Sequence, residues 1–287
     1  MRALLPFIAL FVMPVSAQDT PAEKLMARTQ PLVIAHRGYS GKAPENTLPA
    51  FKLAKEANAD MVELDYYHSK DGVPVVFHDT TLDRTTDAVA KWGGSKINLA
   101  DKTAAELKTL DAGKWFDPKF AGAVVPTLVE SLDVIQAEGG VTLIERKKGD
   151  AATCVKLLQE RMEVNKVIVQ AFDWKYLADF HKLEPKQVLG ALGPPSTRDG
   201  KKLTDEEKVL TPQYVDEAKK AGALVVGWNN KVTKEAVTYA HAQGLKVWIY
   251  TVNTAEEANK MLDLGVDGII TNEVTLIRKT AAARGAK

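Results

Sequence analysis

Short apolar runs of five to seven residues recur along the chain: "PLVIAH", "DMVELDY", "PVVFH", "VTLIER", "KVIVQAF", "QVLGAL", "LVVGWN", "KVWIYTV" and "DGIIT". Runs of this length, rich in Val and Ile and bounded by turn residues, read as buried strands. Between the later ones lie stretches of helical period such as "TKEAVTYAHAQG" and "TAEEANKMLDLG", each closed by the glycine common at helix ends. Strand–helix alternation of this kind predicts helices packed around a parallel sheet. Asp71-Gly72, within "HSKDGVPVVFH", marks a hairpin, so one of the nine strands is an antiparallel addition. The eight that are left, in about 250 residues, predict an α/β fold, a closed (β/α)8 TIM barrel. A doubly wound open sheet shares the alternation, but no Gly-x-Gly-x-x-Gly follows the first strand. Residues 79 to about 125 break the repeat, which predicts a small insertion after the second strand and its hairpin, over one rim.

The first residues follow a different pattern. "MRALLPFIALFVMPVSAQDT" joins an early arginine, an uncharged apolar run from Ala3 to Val15, and small residues at Val15-Ser16-Ala17. This is the form of a secretory signal, with cleavage expected after Ala17, residues 18–30 as an N-terminal extension and 31–287 as a single barrel domain. The apolar run is shorter than a bilayer span and holds two prolines, so export, to a periplasm or the medium, is expected rather than stable membrane insertion. Cys154 is the only cysteine, which excludes an intramolecular disulfide, and its helical surroundings make it a packing residue. A formal charge of +1 gives no electrostatic footprint for nucleic acid, so attraction for an anion must be local. Nothing in the residue pattern sets an oligomeric state.

In such a barrel, side chains at the C-terminal strand ends meet in a common mouth. Here those ends carry His36 and Arg37, Glu63 and Asp65, His78 on the hairpin's return strand, and Glu145 and Lys147. Alternation across a strand puts Glu63 with Asp65 and Glu145 with Lys147, so both pairs can point inward. Three converging carboxylates would repel and take up protons unless a divalent cation kept them ionised, and an all-oxygen donor set suits magnesium, calcium or manganese. Arg37 and Lys147 would satisfy a phosphate beside that cation. Two imidazoles then match the proton demands of phosphodiester cleavage, one proton taken from the attacking oxygen and one given to the leaving alkoxide. His68, His181 and His241 fall near the hairpin turn or within helical stretches and are expected in surface or packing roles.

The ordered set "AHRG", "ENT", "ELD", "FHD" and "IERK", with "HDTTLDRTTD", "LDAGKWFDPKFAGAVVPTL", "TVN" and "DGIITN", resembles the glycerophosphodiester phosphodiesterase family over residues 31 to about 275. The resemblance implies a (β/α)8 barrel that hydrolyses small glycerophosphodiesters, such as glycerophosphocholine and glycerophosphoethanolamine, to glycerol 3-phosphate and an alcohol. It implies one divalent cation, Ca2+ or Mg2+, on Glu63, Asp65 and Glu145, with His36 and His78 as the acid/base pair. Arg37 and Lys147 match phosphate-contacting positions, and Glu45 of "ENT" a supporting acid that orients Arg37 or a histidine. Three positions depart from the family pattern. Arg146 replaces an apolar residue and, facing away from the mouth, needs a partner or a route to the surface. Tyr250, a further substrate-binding candidate, stands where tryptophan is common, and Asn272 where aspartate is. A sphingomyelinase-type phospholipase D and a non-catalytic phosphoester-binding protein are the rival functions; Trp92, Trp115, Phe116 and Phe120 of the insertion are read as rim packing.

Overall fold

The computed structural model describes residues 19–198 and 200–285, so the expected signal peptide, residues 1–17, lies outside the described residues. The described residues hold eleven strands: β1 (Leu32–Ala35), β2 (Met61–His68), β3 (Pro74–Val76), β4 (Thr142–Arg146), β5 (Val167–Ala171), β6 (Val188–Leu192), β7 (Thr197–Arg198), β8 (Lys201–Lys202), β9 (Val225–Trp228), β10 (Lys246–Ile249) and β11 (Gly268–Thr271). Eight of them run parallel in the order β1-β11-β10-β9-β6-β5-β4-β2, and the β1–β2 pairing closes the ring. The chain is thus a (β/α)8 TIM barrel. As the Asp71-Gly72 turn suggests, β3 pairs antiparallel with β2, through Tyr66↔Val76 and Tyr67↔Val75. The separate β7–β8 ribbon of two-residue strands was not foreseen.

Strand alternation sorts the apolar residues into two layers. Leu32, Ile34, Met61, Leu143, Ile168, Val188, Val225, Trp248 and Ile270 fill the barrel interior. Their neighbours Val33, Val62, Leu64, Ile144, Val169, Leu189, Val226, Val247 and Ile269 face the helices. Each such side chain contributes about 1.5–3 kcal/mol by leaving water. The helix Pro21–Met26, started by a Thr20–Glu23 capping box, sets Ala22, Leu25 and Met26 against the interior layer at the N-terminal end of the strands and stoppers the barrel there. Only the C-terminal end is left for chemistry.

Between β3 and the helix Leu128–Gln136 the chain forms short helices at Ala88–Trp92 and Ala104–Leu107 and single turns at Leu99–Asp101 and Pro118–Phe120. These are held by their own cluster, in which Leu82, Leu99, Leu107 and Leu110 pack on Tyr67, Val75 and Phe77 of the hairpin. Among the described residues, no helix is long and apolar enough to cross a membrane.

Candidate active site

The inward register of the barrel strands turns polar at their C-terminal ends. Following Leu32 and Ile34 by two residues brings His36 to the interior; following Met61 brings Glu63 and Asp65; following Leu143 brings Glu145. The parallel β2–β4 register sets Asp65 beside Glu145. One ligand oxygen from each of Glu63, Asp65 and Glu145 lies within 4.8 Å of the others, and all three residues are buried. Burial and the facing carboxylates push Glu63 well above the usual carboxylate range, and burial with the charge of Asp65 pushes Glu145 up to about 7. Glu63 Oε1 and Asp65 Oδ1 are buried with no hydrogen-bond partner. Unpartnered carboxylate oxygens at such a convergence are what a hard cation would satisfy, so these residues fit a divalent metal.

The cations sit around the triad. Lys147 Nζ donates 2.6 Å to Glu145 Oε1 and lies 3.5 Å from Asp65 Oδ1. Burial would lower its pKa, but Asp65 and Glu145 outweigh burial and keep it charged. Arg37 has a left-handed backbone (φ 55°), which directs its amide N–H to Glu63 Oε2 at 2.7 Å. Its Nη1 donates 2.8 Å to Glu45 Oε1 and its Nε lies 3.4 Å from Asp65 Oδ2. The turn needs the next residue to be glycine: Gly38 has φ 78°, and a Cβ there would lie 2.7 Å from Ala50. Asn46, beside Glu45, holds Asp65 from both sides, Nδ2 donating 2.8 Å to Oδ2 and Oδ1 accepting from the Asp65 amide at 3.2 Å.

Each candidate histidine has an orienting partner. His36 Nδ1 lies 2.7 Å from Asn272 Oδ1, an amide oxygen that can only accept, so Nδ1 carries the proton and Nε2 is the basic nitrogen. Ser40 Oγ is 2.9 Å from the same oxygen. His78 Nδ1 lies 2.6 Å from Asp79 Oδ1, whose other oxygen accepts from Arg84 Nε at 2.6 Å. The two environments differ. Burial, joined by the charge of Arg37, lowers His36 to about 4. Burial also lowers His78, but Asp65 and the bond to Asp79 oppose it. At Asp79 burial acts upward and is overcome by the hydrogen bonds from Arg84 and His78, which bring it down to about 2.

The structure therefore brings His36, Arg37, Glu45, Glu63, Asp65, Glu145 and Lys147 into one connected region of the mouth, and ties His78 to it through Asp79, Arg84 and Glu45. Tyr250 lines a small cavity of about 30 Å³ together with His36, Glu145, Gln170 and Phe172. Its hydroxyl donates 2.5 Å to Gly193 O, and its ring stands edge-on to Phe172 at 6.1 Å. A wider groove of about 810 Å³ around Arg28 and Asp60 lies by the helix Pro21–Met26 at the stoppered end. The other histidines are elsewhere. His68 faces the helical layer 5.8 Å from the Tyr66 ring, His241 pairs with Asp267 at 2.7 Å, and His181 lies on the helix Trp174–Leu183. Arg146 finds its partners: Nε donates 2.9 Å to Gly149 O, Nη1 3.1 Å to Asp173, and the guanidinium lies 4.7 Å over the Tyr176 ring. Cys154 is buried, and burial raises its thiol to about 11. The orienting roles of Asn46, Asp79, Arg84 and Asn272 were missed from sequence. The signal open to it was a carboxylate directly after His78 and an amide directly after Glu45.

Residues 36–276 match the model of the glycerophosphoryl diester phosphodiesterase family. A glycerophosphodiester phosphodiesterase of Caldanaerobacter subterraneus is 34% identical, over 86% of this chain and 98% of its own. One from Bacillus subtilis is 32% identical over 96% of this chain and 94% of its own. Among solved structures, a putative glycerophosphoryl diester phosphodiesterase from Silicibacter pomeroyi has a TM-score of 0.80 at 27% identity, covering 93% of this chain and 98% of that one. A phosphodiesterase of Oleispira antarctica, solved with its product sn-glycerol-3-phosphate, has a TM-score of 0.76 at 27% identity, covering 88% of this chain and 97% of that one.

Proposed function

The chain belongs to the glycerophosphoryl diester phosphodiesterase family, and from that premise we propose how its barrel mouth cleaves a glycerophosphodiester to glycerol 3-phosphate and an alcohol. The observation that carries the reading is the convergence of Glu63, Asp65 and Glu145 beside two histidines, each fixed by its own partner. A phosphate binder needs cations. It has no use for two oriented imidazoles.

Glu63, Asp65 and Glu145 hold one divalent cation, Ca2+ or Mg2+, which when bound neutralises charge on the phosphoryl oxygens. Arg37 and Lys147 bind the phosphate, Arg37 held in place by Glu45 and Lys147 anchored on Glu145. His36, uncharged and with Nε2 free to accept, takes the proton from the attacking hydroxyl. His78, whose imidazolium is stabilised by Asp79, gives a proton to the departing oxygen as its bond to phosphorus breaks. The attacking hydroxyl belongs to the substrate's glycerol, giving a cyclic phosphate that water opens, or to water directly. Detection of a cyclic glycerophosphate during turnover distinguishes the two, since only the first route forms it. Tyr250 and Phe172 wall the mouth beside His36.

Purified protein should release glycerol 3-phosphate from glycerophosphocholine or glycerophosphoethanolamine, stop in EDTA and recover with calcium or magnesium. Full activity in EDTA would remove the metal from the reading, and turnover of lysophosphatidylcholine or sphingomyelin in preference to the deacylated diesters would move the substrate to acylated lipid. The opening residues support export as the place of this activity. Mass spectrometry of protein from a secreting host should find a mature chain beginning at Gln18; an intact Met1 on cell-associated protein would contradict it.

A further inference from the structure

Arg84 lies in the insertion, on no barrel strand and outside the carboxylate triad, yet it joins two supports of the site. Its Nε donates 2.6 Å to Asp79 Oδ2, and its Nη1 and Nη2 donate 2.9 Å and 2.7 Å to the two oxygens of Glu45. Asp79 holds His78 through its other oxygen, and Glu45 holds Arg37. One guanidinium thereby links the carboxylate that holds His78 to the carboxylate that holds Arg37. Lysine offers no such fork; arginine's planar set of N–H groups can serve two carboxylates at once. A carboxylate bonded only to His78 could turn to water. With its second oxygen taken by Arg84, Asp79 cannot rotate without breaking both bonds. The Arg84 side chain is 46% exposed, and ion pairs this open to solvent add little to stability. Its use is therefore positional.

Resting on the diesterase reading above, we propose that Arg84 is a positioning residue that holds His78 through Asp79 in line with the leaving oxygen; Arg37 keeps its own bond to Glu45 whether or not Arg84 is present. The first turn of the insertion is then part of the proton-transfer machinery, and the rim fold that Leu82 anchors beside it serves to aim one side chain.

Two substrates test this. Glycerophosphocholine releases an alkoxide that must be protonated, whereas glycerol p-nitrophenyl phosphate releases a stable phenolate that needs no acid. Arg84→Ala should lower kcat on the choline diester about 10- to 100-fold, the usual cost of losing a group that orients an active-site ligand. On the aryl diester kcat should fall less than about threefold, because the proton transfer that His78 supplies is not needed there. Arg84→Lys, which keeps the charge without the fork, should recover only part of the choline activity. Both variants should keep the parent's thermal shift on adding calcium, since the triad is untouched. Equal losses on the two substrates, or Arg84→Ala within about twofold of the parent on both, overturns the proposal, because removing a positioned acid from an alkyl leaving group costs far more. If the parent itself cleaves neither diester, it is the functional reading that fails.

Discussion

The two histidines of the mouth meet different partners, and that difference underlies the roles proposed for them. Asp79 can stabilise an imidazolium on His78; the neutral amide of Asn272 can orient His36 but adds no charge to stabilise a proton there. Removing either imidazole should lower turnover of glycerophosphocholine by about two to four decades, the span for lost acid/base catalysis. The aryl diester separates the two roles: His78→Ala should keep most of its rate on p-nitrophenolate departure, and His36→Ala should lose it. The opposite pattern reverses the assignment. The triad and His36 were readable from the chain because each lies in inward parity with an apolar strand residue, and His78 because it follows the hairpin's return strand. Their orienting partners were not. Asn272 meets His36 across 236 residues, and Arg84 meets Glu45 across 39, encounters that only closure of the barrel creates.

At the scale of elements, legibility followed length and burial. All nine strands of the main sheet were visible because each buries Val, Ile or Leu, and Gly244 and Gly265, both left-handed, end the helices their positions suggested. The β7–β8 ribbon escaped because Thr197, Lys201 and Lys202 are exposed, Arg198 is half-buried, and the four carry no apolar alternation. The four- and five-residue helices of the insertion are shorter than the window in which a helical period shows. Arg146 shows how an element tolerates a residue its face does not favour. Its aliphatic stem leaves the strand toward the helical layer, and its guanidinium settles over Tyr176 against Asp173. A charge on the outer barrel face is thereby matched, and the inward face stays free for Glu145 and Lys147.

For the molecule as a whole, the mouth costs stability that the apolar interior must offset. Each buried ion carries a desolvation penalty of several kcal/mol, comparable to burying one or two interior side chains. Without a cation, Glu145 binds a proton in the folded state up to about pH 7, and Glu63 is raised in the same sense. The fold therefore binds more protons than the unfolded chain above the ordinary carboxylate range, and stability falls as pH rises through that window. His36 acts oppositely: lowered to about 4, it withholds a proton that the unfolded chain would take below about pH 6.5, so it destabilises on acidification. The two trends offset between about pH 4.5 and 6.5, and above that range the carboxylates alone decide. At pH 8, above the value of about 7 at Glu145, a cation has less proton competition to overcome there. At a hundred times its dissociation constant it should add about 2.7 kcal/mol. For a barrel of this size that is a rise of about 5–10 °C in the thermal midpoint. At pH 5 the same concentration must displace protons from Glu63 and Glu145, and the rise should shrink to a fraction of its value. Calorimetry with and without calcium at the two pH values measures this. An equal rise at both, or one that survives Glu63→Gln with Glu145→Gln, would place the cation somewhere other than the triad.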